Sequence, residues 1–163
     1  MKIACLFGGI VVAALSTTAK ADWQYTRWGM SPDQALAASK GQLKRCETNV
    51  CSGHSTDKAT AQLFGPYQSG EFLFTVFALF DKTDSKLAHI MLKLKKPEKA
   101  AELIGALRTK YGEPASEDRN RIQTVVVWRD PKDQVSILAV GSGPSAYVTL
   151  IYQPRITESN KGL

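Results

Sequence analysis

Apolar and polar positions along this chain change period several times, and each change predicts an element. From 97 to 111, Ala100, Leu103, Ile104, Leu107 and Tyr111 recur at helical spacing, with Glu98, Lys99, Glu102, Arg108 and Lys110 between them. That is the stripe of an amphipathic helix. Pro97 opens the segment, Gly112 supplies its stop and Pro114 prevents continuation. A shorter helix is predicted from Ser31-Pro32-Asp33-Gln34. There Ser31 caps, Pro32 suits the first helical position, Asp33 faces the positive dipole end and Gln34 completes a capping box. Residues 35–40 are alanine-rich with Leu36 as the large apolar anchor, and Gly41 is the natural stop.

Elsewhere the period falls toward two. Residues 59–64 alternate, and Gly65-Pro66 is expected to bend or end that strand. Residues 71–80 are an aromatic and branched run, 81–86 a polar turn, and 87–95 a further strand, together an antiparallel meander. After the second helix, strands are predicted over 121–129, 134–140 and 146–153, separated by turns at 130–133 and 141–145. A polar stretch over 42–58 is the longest loop. A helix followed by a meander therefore occurs twice, with only the element order and a proline at each helix start recurring. This predicts an α+β fold: two α-β-β-β units forming one antiparallel sheet of about six strands, with two helices packed on one face. The expected single domain covers 22–154, followed by a flexible C-terminal tail over 155–163.

The strands are apolar on both sides. In 71–80, Phe72, Phe74, Val76, Ala78 and Phe80 share one side, while Leu73, Phe77 and Leu79 occupy the other. Ile122, Thr124, Val126 and Trp128 stand against Val125 and Val127, and Val148 and Leu150 against Tyr147 and Ile151. A half-solvated antiparallel sheet alternates more cleanly, so part of the helix-free face is a candidate binding surface, with Phe77, Trp128 and Tyr147 as its candidate contacts. The competing reading is ordinary core packing, with the 42–58 loop or the 23–30 stretch covering that face. Trp28 and Trp128 share the ambiguity, since a large aromatic anchors an interface or fills a core.

The first 21 residues read as a cleaved signal peptide. Lys2 supplies the positive start, 3–15 the apolar run, and Ala19-Lys20-Ala21 the small-residue site, so cleavage is expected before Asp22. As a membrane anchor the run falls short of the roughly 20 residues needed to span a bilayer. A lipoprotein would need a cysteine at the end of the run, and Cys5 precedes most of it. The expectation is a soluble periplasmic or secreted protein without stable membrane insertion. The formal net charge of +6 includes Lys2 and Lys20, so the remainder is only mildly basic. That balance and the exported setting argue against nucleic acid as a partner.

Cys46 and Cys51 remain as an even pair in the polar loop, where a short disulfide is the default in an oxidising compartment. Adding His54 gives Cys-x4-Cys-x2-His, a possible soft-metal or thiol centre without a clear fourth ligand. No metal or other cofactor is expected on the leading reading. The other histidine, His89, reads as a structural strand residue, and neither histidine has a motif partner at catalytic spacing. Ser142 sits in Gly-Ser-Gly-Pro-Ser between two strands, whereas a nucleophile elbow joins a strand to a helix. No catalytic residue is assigned, and the balance points away from an enzyme. Lys93, Lys95, Lys96 and Lys99 form the densest basic group, readable as a solvated edge or as an anion contact.

At Trp28-Gly29-Met30-Ser31, at Tyr111-Gly112-Glu113-Pro114 and at Trp128, the chain resembles small exported proteins of Gram-negative bacteria, alphaproteobacteria in particular. The resemblance implies a periplasmic or secreted setting and brings no assigned activity or functional residue. The repeated α-β-β-β order is also similar in architecture to the beta-lactamase inhibitory protein, whose sheet face grips another protein. The leading expectation is thus a periplasmic binding or interaction module that uses its apolar sheet face on an envelope protein partner. The alternative is an envelope enzyme or a metal or thiol protein centred on Cys46, Cys51 and His54.

Overall fold

A computed structural model of the chain describes residues 23–155. The expected signal peptide and nearly all of the expected tail lie outside the described residues. The described chain is mostly one antiparallel sheet of eight strands accompanied by three short helices, compatible with an α+β class. In chain order the strands are β1 (Lys44–Arg45), β2 (Ala59–Ser69), β3 (Phe72–Asp81), β4 (Leu87–Leu94), β5 (Ser116–Arg119), β6 (Gln123–Arg129), β7 (Asp133–Val140) and β8 (Tyr147–Pro154). The helices are α1 (Pro32–Ala38), α2 (Thr48–Cys51) and α3 (Ala100–Tyr111). The sheet runs β1-β2-β3-β4-β8-β7-β6-β5, so two meanders meet where β4 pairs with β8 through Ile90↔Tyr152, Met91↔Ile151, Leu92↔Leu150 and Lys93↔Thr149.

Local chemistry accounts for the element ends. Ser31 caps α1 by accepting from the Gln34 N–H, and the Gln34 side chain accepts from the Ser31 N–H. α1 closes at Ala38, earlier than expected. The Ser39 hydroxyl donates to the Leu36 carbonyl and accepts from the Leu43 N–H, turning the chain before Gly41. Pro97 begins a turn of 3-10 helix over Pro97–Lys99 that leads into α3, and Gly112 ends α3 at φ +78°.

Two expectations need correction. The sheet has eight strands rather than about six, because β1 and β5 form its edges. Every residue of β1 and β5 is exposed, so neither carries an apolar alternation. β2 also passes through Gly65-Pro66 to Ser69 instead of stopping there. β1 pairs with β2 only at Leu63 and Phe64, and an unflanked edge accommodates a proline that lacks an N–H. Gly65 is required by the chain crossing above it: a side-chain carbon there would collide with the Gln42 carbonyl and press on Leu43 Cδ2 at 3.2 Å.

The larger core cluster holds Leu103, Ile104 and Leu107 of α3 and Ala35 of α1 together with Phe74, Phe80, Ile90, Trp128 and Ile137 from one side of the sheet. The 23–30 stretch packs against this cluster too. Trp23 is buried within the cluster, Gly29 N–H donates to Leu87 O, and Trp28 Nε1 donates to Asp133 Oδ1 at 2.7 Å. A second, smaller cluster lies on the other face: Ala59, Ala61, Phe77 and Leu79, with Cys46, Cys51, Phe64 and Met91 against them. A register shift between Ala61 and Leu63 moves β2 from one cluster to the other, as a bulge does by inserting one residue into a period-two strand.

Candidate functional site

The second face is covered around Phe77 and Leu79 and more open beyond. A disulfide joins Cys46 to Cys51 with Cα atoms 5.6 Å apart, closing the loop that carries α2. The chain leaving that loop lays the His54 ring on Phe77, with centroids 3.8 Å apart and planes 18° from parallel. His54 Nδ1 also lies 3.3 Å from the Ser52 carbonyl. Burial over Phe77 pushes the His54 imidazole below its ordinary value, and the Lys93 charge adds to that depression. The ring is therefore an uncharged, largely apolar wall at neutral pH.

Beside that wall is a groove of about 540 Å³. Phe64, Thr75 and Phe77 supply its floor from β2 and β3, His54 and Val50 one side, and Tyr147 the other. Lys93 and Lys95 stand exposed at its rim. Among the described residues neither lysine enters an ion pair, and none of the groove's lining residues is acidic. Lys99, by contrast, is held by Glu71 and Glu102, the latter at 3.5 Å. The groove thus combines an apolar aromatic floor with two uncompensated ammonium groups.

The candidate contacts are only partly brought together. Phe77 and Tyr147 line the same groove. Phe77 is 3% exposed and serves as floor, whereas Tyr147 is 41% exposed and available at the surface. Trp128 lies on the opposite face, 3% exposed, with its Nε1 donating to the Gly112 carbonyl at 3.0 Å. Its hydrogen bond fixes the end of α3, a packing task. His54, read in the sequence beside the cysteines, lines the groove and stacks on Phe77. Both cysteine sulfurs are spent in the disulfide, and among the described residues no three His, Cys, Asp or Glu side chains gather as a metal-binding group. Phe64 and Thr75 carried no distinguishing sequence signal, because only the sheet register places them beside Phe77.

Past Tyr147 the open face continues over β8, β7 and β6. Ile151, Leu138, Val125 and Val127 are each partly exposed there, and Ile151 pairs with Met91 at the boundary with the covered half. No helix among the described residues is long and apolar enough to cross a membrane. Compared with family models, curated proteins and solved structures, the chain matches none.

Proposed function

We propose that this chain is an exported binding module of the periplasm or extracellular space, and that its sheet-face groove takes an acidic, apolar-anchored segment of an envelope protein. The observation that carries this reading is the placing of exposed Tyr147 with Lys93 and Lys95, which have no ion-pair partner among the described residues, around an apolar floor whose described lining includes no carboxylate. A partner's aromatic or aliphatic side chain fits the floor, and its carboxylates fit the lysine rim. The disulfide supports the exported setting, because such bonds persist in oxidising compartments. The leader that reads as a signal peptide supports it from the sequence side. We further take the architecture as two units, each a helix leading into a meander. That reading is supported by the strand order, which is symmetric about the β4/β8 junction.

The test is site-specific photo-cross-linking in cells, with a photoreactive residue replacing Tyr147 and a control probe at Glu113, beyond the end of α3. A discrete envelope-protein adduct at 147 that is absent at 113 and is lost in a Lys93→Glu, Lys95→Glu background is the expected result. An adduct indifferent to both charge reversals, or none at 147, sinks the reading.

A further inference from the structure

On the other side of the sheet, between α3 and the 23–30 stretch, lies a separate cavity of about 400 Å³. That volume is within the range of roughly 300–1,000 Å³ typical of small-molecule sites. Trp23, Tyr67, Phe72, Phe74, Tyr111 and Tyr152 supply aromatic walls. The Trp23 ring meets Tyr67 edge-on, with centroids 5.3 Å apart, and leucines from β4, β8 and α3 complete the apolar lining. Such a chamber recognises a hydrocarbon or aryl body.

Its polar side chains are few: Gln24, Ser69, Lys110 and three tyrosines. Gln24 Nε2 donates to the Tyr67 hydroxyl at 2.9 Å, and the Tyr111 and Tyr152 hydroxyls lie 3.4 Å apart. Among the described residues, the Tyr67 O–H therefore accepts without donating to anything, and the Tyr111–Tyr152 pair uses one of its two O–H groups and leaves the other free. Burial pushes the Tyr152 phenol well above its ordinary value, with Tyr111 adding to the shift, so it stays protonated. Among the described lining residues Lys110 brings the one formal charge, its Nζ 4.9 Å from the Tyr111 ring centroid, and none is acidic. Free phenolic donors and an ammonium at the rim, with no carboxylate among the described lining residues, are the complement of an anion, and the ammonium opposes a second cation.

We propose that this cavity binds a small amphipathic monocarboxylate, its hydrocarbon or aryl body among the aromatic walls and its carboxylate between Lys110 and the free phenolic donors. The site is independent of the sheet-face groove, on the opposite side of the sheet, and stands whether or not that groove binds a protein.

Isothermal titration calorimetry of the purified protein with decanoate, decanol and decyltrimethylammonium, all below their micellar concentrations, tests it. Decanoate is expected to bind saturably with one site per chain, ahead of decanol, with the ammonium giving no saturable heat. Tyr152→Phe should weaken decanoate about tenfold, the equivalent of one hydrogen bond to a charged group, and Lys110→Gln roughly threefold, as suits an exposed charge. Ala106 lines the cavity and is exposed on α3, so Ala106→Trp fills the opening without disturbing the core and should abolish binding. Absence of saturable decanoate binding overturns the proposal. So does binding of the ammonium with equal affinity, or decanoate binding that Ala106→Trp leaves unchanged while its melting curve stays native.

Discussion

Gly65 shows how one missing side chain positions a whole segment. The chain between α1 and β1 passes directly over β2 there, and a methyl group would meet the Gln42 backbone carbonyl first, which cannot swing away as a side chain can. Gly65→Ala should therefore cost about 1–3 kcal/mol, the usual scale of overpacking. A lowered urea midpoint with unchanged m-value checks it, and an unchanged midpoint refutes the close crossing. The two histidines set a different residue-scale expectation. Burial depresses both His54 and His89, with Lys93 adding to the depression at His54 and Asp81 opposing it at His89. His89 Nδ1 has no hydrogen-bond partner among the described residues. The unfolded chain takes up protons near the ordinary histidine value of about 6.5, the folded chain only at lower pH. In the window beneath that value the unfolded state thus holds more protons, and stability falls as pH drops into it. Urea midpoints compared at roughly pH 5 and pH 7.5 should show the loss, and His54→Phe should reduce it while keeping a ring stacked on Phe77. A pH response identical in the variant removes His54 from the account.

At the level of elements, the Cys46–Cys51 disulfide closes a loop too short to constrain the unfolded chain strongly, so its removal should cost about 2 kcal/mol or less. Its larger effect is local, because this loop shelters Phe77 and Leu79. In a Cys46→Ser, Cys51→Ser variant, hydrogen exchange should accelerate over 46–54 and along the facing part of β3 while β7 and β8 stay protected. Acceleration everywhere would make the disulfide a global staple and defeat the expectation. The same segment marks how far the sequence could be read. Helices with caps and stops, such as Ser31 for α1 and Gly112 for α3, were legible because their signals are local. β1 and β5 were not, since fully exposed charged strands carry no period. The double-sided apolarity of β3 was visible, but the reason for it was not: Phe77 is covered by a loop whose fold depends on a disulfide and a ring stack. Trp128 and Tyr147 looked alike as aromatic strand residues, and only pairing register separates a core anchor hydrogen-bonded to Gly112 from an exposed groove wall.

Across the whole molecule, the larger core cluster draws on both helices α1 and α3 and on strands of both meanders, so neither meander holds a comparable core by itself. The contact between them is the β4/β8 pairing, where Ile90 is completely buried opposite Tyr152. If the sheet is one cooperative unit, damage at that seam must spread to both sides. Ile90→Ala should cost about 2–5 kcal/mol as a buried large-to-small change. Under conditions favouring global opening, the loss of amide protection should be equal in β2–β3 and in β6–β7, with a single unfolding transition by circular dichroism and by tryptophan fluorescence. Loss confined to β2–β4, or two separated transitions, would show that the meanders open independently. The outcome also bears on the two sides of the sheet. The groove is floored by the first meander and walled by Tyr147 of the second, and the cavity is lined by β3 and β4 together with β8. Both depend on the seam staying closed, so a sheet that opens there loses both at once.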